Sequence, residues 1–195
     1  MKNLNYFFVL LLALLNSNIV TAQYSISGNI TCLGGGIVSE QEVVLTGNNI
    51  SDMTVLTDID GNYSFTNLPT DSDYTLSVEK DEEILNGVST YDLVLMAKHI
   101  LNLQPFTTPF HLLAADVNSS GTVTTLDLVL IRQVILNQVT TYPNGQSFLF
   151  ATSDYDPANG TGAVGTVIIS DLQEDHTVDF VQVKLGDMNG STTCQ

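Results

Sequence analysis

The sequence predicts an α+β chain: a small β-sandwich, then a duplicated loop–helix pair, then a C-terminal β-rich segment. Three observations carry that expectation. Between residues 24 and 80, short alternating apolar runs are divided by Gly, Asn and Asp, the pattern of half-buried strands. Between 81 and 140 the apolar period switches to that of a helix, and one pattern occurs twice, 35 residues apart. Val88-Ser-Thr-Tyr-Asp-Leu-Val-Leu95 with Ile100-Leu-Asn102 returns as Val123-Thr-Thr-Leu-Asp-Leu-Val-Leu130 with Ile135-Leu-Asn137. Residues 141–195 lack the repeat, return to strand-like runs and are expected to pack back on it.

The chain opens with Met1-Lys2-Asn3, an unbroken apolar run from Tyr6 to Leu15, and small residues at Val20-Thr-Ala22. That is the layout of a cleaved signal peptide over 1–22, with the mature chain starting at Gln23 and residing outside the cell or at its surface. The run is about half the ~20 apolar residues a spanning helix needs, so no membrane span is expected after cleavage. The mature chain keeps all 21 acidic residues against Lys80, Lys98, Arg132 and Lys184, a net charge of −17. Such a surface cannot replace the counterions of a phosphate backbone, which excludes nucleic acid as a partner. In an exported chain Cys32 and Cys194 either pair, closing nearly the whole mature sequence into one loop, or remain free thiols.

In the first segment Tyr24–Ile30, Val43–Leu45, Met53–Thr57, Asn62–Phe65 and Tyr74–Val78 read as strands. Asp60-Gly61 marks a hairpin, and Asp58-Ile-Asp-Gly-Asn62 is read as its turn, with no carboxylate at the distance a metal loop would need. Leu33-Gly-Gly-Gly-Ile37 reads as a flexible turn, since it lacks the strand–helix context of a phosphate loop. In the last segment Ser147–Phe150, Val164–Ile169 and Asp179–Leu185 read as strands, with a loop at Tyr155–Gly162.

In the repeats, Leu93, Met96, Ile100 and Leu101, then Leu128, Ile131, Ile135 and Leu136, fall on one face of a helix. Pro105 and Pro109 break the connection between the helices. Asp92 and Asp127 sit in the first turns, where backbone donors favour negative charge. The second copy starts with Asp116-Val-Asn-Ser-Ser-Gly-Thr-Val-Thr-Thr-Leu-Asp127. Asp116, Asn118 and Ser120 offer side-chain oxygens, Thr122 its carbonyl, Thr124 a direct or water-borne contact, and Asp127 closes the ring; Gly121 permits the bend. This flexible, oxygen-only ring suits Ca²⁺ over Mg²⁺, and the absence of His and Cys from the loop argues against zinc.

The first copy is defective when read locally. Counting back from Asp92 gives Asp81 and Glu83 at the first and third places, but Leu85 at the fifth and Asn86 where glycine belongs. Either carbonyls and Asp81 suffice, or ligands come from elsewhere. Gly186-Asp187-Met-Asn189-Gly-Ser191 looks like the opening half of such a loop, and Asn86–Asp92 like a closing half. Asp187 and Asn189 therefore either fold back to complete the first site or form an acidic β-turn at the chain end.

The Val-Ser/Thr-Thr-x-Asp-Leu-Val-Leu pair with the Asp-x-Asn-x-Ser-Gly loop resembles the type I dockerin family, over about sixty residues. That resemblance implies a duplicated calcium loop–helix module that attaches to a cohesin-type protein partner, often in polysaccharide degradation. Cellulosomal members place a Ser-Thr pair before the helix-opening aspartate; here those places hold Thr90-Tyr91 and Thr125-Leu126. Ile26-Ser-Gly28, Val43-Val-Leu-Thr-Gly47, Thr57–Phe65 and Leu68-Pro69 before Tyr74–Val78 resemble carboxypeptidase regulatory-like domains, which implies a transthyretin-like or Ig-like sandwich serving as a spacer. His99, His111 and His176 have no serine, cysteine or metal partner at catalytic spacing, so no catalytic residue is assigned. The expected function is a secreted, non-catalytic, calcium-organised attachment module. The alternative is a structural cell-surface or matrix component that calcium merely rigidifies.

Overall fold

The computed structural model describes residues 23–80 and 84–194. The leader expected at 1–22 and the candidate ligands Asp81 and Glu83 lie outside the described residues. The strands are β1 (Gln23–Cys32), β2 (Glu42–Gly47), β3 (Met53–Leu56), β4 (Asn62–Pro69) and β5 (Tyr74–Val78), then β6 (Phe148–Thr152), β7 (Thr166–Ile169), β8 (His176–Thr177) and β9 (Phe180–Lys184). Between β5 and β6 stand three helices: α1 (Thr90–Ile100), α2 (Pro109–Ala115) and α3 (Thr125–Ile135).

The fold is α+β, with two sheets packed as a sandwich and three short helices beside them. One sheet runs β4-β1-β9-β6, with β8 pairing β1; the other runs β3-β2-β5-β7. Alternation makes this possible: Ile26 and Ile30 of β1, Val43 and Leu45 of β2, and Tyr74, Leu76 and Val78 of β5 all point into one core. In β4 the buried positions are Tyr63, Phe65 and Leu68, so the period slips after Phe65. The slip is a bulge: Asn67 takes φ 60°, the register with β1 shifts, and Leu68 returns to the core face.

The strands after residue 147 were expected to pack back on the repeat. They instead complete the sandwich, because Phe150, Ile169, Leu172, Val178 and Phe180 supply a large share of its core. β9 pairs parallel with β1 and antiparallel with β6, and β7 pairs antiparallel with β5. The loop–helix pair is thus an insertion between two strands of one sandwich. Gly28 shows how closely the segments approach. A Cβ there would lie 1.8 Å from the Val178 carbonyl oxygen, the same oxygen that accepts the Tyr63 hydroxyl at 2.5 Å.

A second core gathers Met96, Ala115, Val117, Ile131, Val134 and Tyr142 with Leu185 and Met188 from beyond β9. Leu93, Ile100, Leu128 and Ile135 pack against it as the periodicity predicts, but Leu101 and Leu136 are 67% and 52% exposed. Those two residues are C-caps, one place past the last helical turn, and the following Asn102 and Asn137 end the helices at φ 57° and 54°. The repeated Leu-Asn is therefore a stop signal, and its leucine faces outward. α2 was not expected, since Pro109 was read as a breaker. Pro109 occupies the first helical position behind the Thr108 cap, where its missing N–H costs nothing. In the α1–α2 connection Phe106 stacks between His99 (centroids 4.5 Å) and His111 (5.7 Å), and its N–H donates to His99 Nδ1 at 2.9 Å.

Candidate metal centres

Loop 116–127 folds around its own oxygens. The Ser120 N–H donates to Asp116 Oδ1 at 2.9 Å and to Asn118 Oδ1 at 3.0 Å, which brings both side-chain oxygens to one point. The Gly121 N–H reaches Asp116 Oδ2 at 2.6 Å, and the Ser120 hydroxyl donates to the Thr122 carbonyl at 3.0 Å. Ser119 (φ 55°) and Gly121 (φ 82°) make the reversal. Thr124 is the N-cap of α3: its hydroxyl accepts the Leu126 N–H, and both its N–H and its hydroxyl donate to Asp127 Oδ2 at 2.9 and 3.0 Å. That leaves Asp127 Oδ1 turned toward the loop, where the Asn118 N–H approaches at 3.4 Å.

The tail does fold back onto the first copy. Asp187-Met-Asn-Gly-Ser-Thr192 and Gly87-Val-Ser-Thr-Tyr-Asp92 together build the same ring from two distant pieces of chain. The Ser191 N–H donates to Asp187 Oδ1 at 3.1 Å and Asn189 Oδ1 at 3.2 Å, as Ser120 does to Asp116 and Asn118. The Thr192 N–H takes the role of Gly121, reaching Asp187 Oδ2 at 2.7 Å. The Ser191 hydroxyl donates to the Gly87 carbonyl at 3.0 Å, matching Ser120 on Thr122. Ser89 caps α1 as Thr124 caps α3, with its N–H and hydroxyl on Asp92 Oδ2 at 2.8 and 3.0 Å. Gly190 takes φ 63° where Ser119 takes 55°. Asp92 Oδ1 accepts the Met188 N–H at 2.9 Å, across 96 residues of sequence.

Asp92, Asp127 and Asp187 are each at most 1% exposed. Burial raises the Asp92 carboxyl above its ordinary range; hydrogen bonds from Ser89 and Met188 oppose this, and the Asp187 charge adds to it. Tyr142, beneath the ring, is likewise pushed up by burial and then by Asp92. Each ring holds two carboxylates, completed by amide, hydroxyl and carbonyl oxygens. Among the described residues no group of three or more His, Cys, Asp or Glu side chains is disposed to hold a metal. Sequence reasoning singled out Asp187 and Asn189, with Ser191 at the end of the same half-loop, but missed Thr192 and the Gly87 carbonyl. The signal was present: Asp187-Met-Asn-Gly-Ser191 and Asp116-Val-Asn-Ser-Ser120 share Asp-x-Asn-x-Ser. Asp58, by contrast, is a turn residue. It accepts the N–H groups of Asp60 and Asn62 at 2.9 and 2.8 Å, and these contacts, that of Asn62 foremost, hold its carboxyl below the usual range.

Cys32 and Cys194 form a disulfide, with Cα atoms 6.1 Å apart. Among the described residues no helix is long and apolar enough to cross a membrane.

No family model matches the chain, and no curated protein matches it. Among solved structures the chain is similar to a DUF3823 family protein from Parabacteroides merdae ATCC 43184, with a TM-score of 0.33 and 10% identity over 84% of this chain and 47% of that one. The chain thus spans less than half the length of that protein, and a likeness at this score carries no functional argument.

Proposed function

We propose that this chain is a secreted, non-catalytic calcium-binding module of the dockerin kind, with one Ca²⁺ in loop 116–127 and a second in the ring split between 87–92 and 187–192. The observation that carries the reading is the duplication of one hydrogen-bonding scheme on two different chain connectivities: the N–H groups on Asp116 and Asn118 recur on Asp187 and Asn189, the serine hydroxyl on a carbonyl recurs, and so does the capped aspartate. A polar turn before a helix needs none of these oxygens to converge, and two unrelated turns have no reason to match. Asp92 and Asp187 are both buried and the Asp187 charge acts on Asp92, an arrangement that a divalent cation would neutralise. Calcium would fix the first turns of α1 and α3 through Asp92 and Asp127. The helices then present matched exposed apolar pairs: Tyr91 with Leu126, Val94 with Val129, Leu101 with Leu136. Such a face suits attachment to a cohesin-type protein partner.

The structural reading, a surface or matrix component rigidified by calcium, draws support from the insertion of the helices within a disulfide-closed sandwich.

Calorimetry with calcium on the mature chain tests the first claim. Two binding events are expected; Asp187→Ala should remove one and Asp116→Ala the other. At a calcium concentration about 100 times Kd each occupied site contributes about 2.7 kcal/mol, or roughly 5–11 °C in Tm for a chain of this size. Identical melting in EGTA and in excess calcium would refute the calcium reading. Calcium-dependent capture by a purified cohesin domain supports attachment, and binding of the ion without capture favours the structural alternative.

A further inference from the structure

We propose that the Cys32–Cys194 disulfide is the latch of the split ring, making calcium occupancy of that one site conditional on oxidation while leaving loop 116–127 independent of it. The inference rests on the calcium reading above. Six of the twelve ring places, Asp187 to Thr192, come from the tail, and the other six from the start of α1. Loop 116–127 holds its halves together by continuous backbone; the split ring has no bond between Thr192 and Gly87. Its halves are joined by the Met188 N–H on Asp92 Oδ1 at 2.9 Å, the Ser191 hydroxyl on the Gly87 carbonyl and the Thr192 hydroxyl on the Asn86 carbonyl at 3.2 Å, and two residues further on the disulfide anchors the tail to Cys32 at the end of β1.

The tail has a prepared seat. A Cβ on Gly34 would lie 2.6 Å from the Gly190 carbonyl oxygen, and one on Gly36 would lie 2.8 Å from Cys194 Sγ. The Gly34-Gly35-Gly36 tract is therefore the cradle across which residues 190–194 pass to reach Cys32. Buried Asp92 and Asp187 repel each other across the join, and the latch opposes that repulsion from one side as the ion would from within. Opening needs a dithiol: the S–S bond breaks, Cys32 and Cys194 each take up an electron and a proton, and the dithiol closes to its cyclic disulfide. Because the linkage is reciprocal, calcium in the ring must oppose reduction by the same factor by which reduction weakens calcium.

The test is calcium calorimetry on the mature chain when oxidised, when reduced by dithiothreitol, and as the Cys194→Ser variant, each measured with both sites intact and again with Asp116→Ala to isolate the split ring. We expect the split ring to weaken about 10–100-fold on reduction or in Cys194→Ser, with the affinity of loop 116–127 unchanged. That second site also reports that the molecule is still folded. Equal affinities at the split ring in all three states overturn the latch and leave the calcium reading intact. Equal loss at both sites overturns it too, by making the disulfide a general staple. Absence of binding in the oxidised chain overturns the calcium reading itself.

Discussion

Two glycines with the same backbone sign offer a test of the folded-back tail that needs no metal. Gly87 (φ 78°) and Gly121 (φ 82°) both occupy the left-handed region, so alanine at either costs about 1–2 kcal/mol of backbone strain. Their surroundings differ sharply. A Cβ on Gly121 meets nothing within 4 Å, whereas one on Gly87 falls 2.1 Å from Thr192 Oγ1, 2.6 Å from Asp187 Oδ2 and 2.8 Å from the Thr192 nitrogen. Gly87→Ala must therefore push the tail away and break the hydrogen bonds that join it to the first copy: the Met188 N–H on the Asp92 carboxylate, about 1.5–3 kcal/mol, and the Ser191 and Thr192 hydroxyls on the Gly87 and Asn86 carbonyls, about 0.5–1.5 kcal/mol each. With the backbone strain the sum is roughly 3.5–8 kcal/mol for Gly87→Ala against about 1–2 for Gly121→Ala. At ~2–4 °C per kcal/mol, thermal unfolding in EGTA should separate the two variants by at least ~5 °C. If both melt within about 2 °C of each other, Gly87 does not lie under the tail and the split ring is wrong.

Further outcomes follow from single residues. Burial lowers the His111 pKa below its ordinary 6.5, so folding favours the neutral ring. Its contribution is present above pH ~6.5 and lost as pH falls from there through the folded-state value. Tm in EGTA should drop between pH 7 and 5, and His111→Gln should flatten the part of that drop due to this ring; an unchanged profile would contradict the assignment. Asp58→Ala should lower Tm through loss of its turn contacts while leaving calcium stoichiometry unchanged; loss of a binding event would make 58–62 a metal loop after all. The Gln182 amide is buried with neither its nitrogen nor its oxygen bonded, so Gln182→Leu should hold or raise Tm by relieving a penalty of about 1–3 kcal/mol. A fall of several degrees would show that the amide is satisfied in solution.

The strands and the two repeated helices were legible because their signals are local. Alternation at Tyr74–Val78 and helical spacing at Met96 and Ile131 each lie within a few residues, and burial follows them. Loop 116–127 was legible for the same reason. What could not be read was pairing across distance. Nothing in Phe180 or Phe150 says that they pair with Ile30 of β1 and Gln182 of β9, so the last segment was expected on the repeat, where Tyr142 and the end from Leu185 onward do pack, and not in the sandwich. The Leu101 and Leu136 error has a different origin: an apolar residue just past a helix end continues the periodicity while the backbone has already turned away. Pro109 misled because the same residue stops a helix in its interior and starts one at its first position. Asp187 and Asn189 were reached only because their spacing repeats that of Asp116 and Asn118.

The two rings differ in how soon they can close. Everything loop 116–127 needs has left the ribosome once Asp127 has, whereas Asp92 must wait for residues nearly a hundred positions downstream. A growing chain can therefore close the local ring first, and the split ring only once Thr192 has been made.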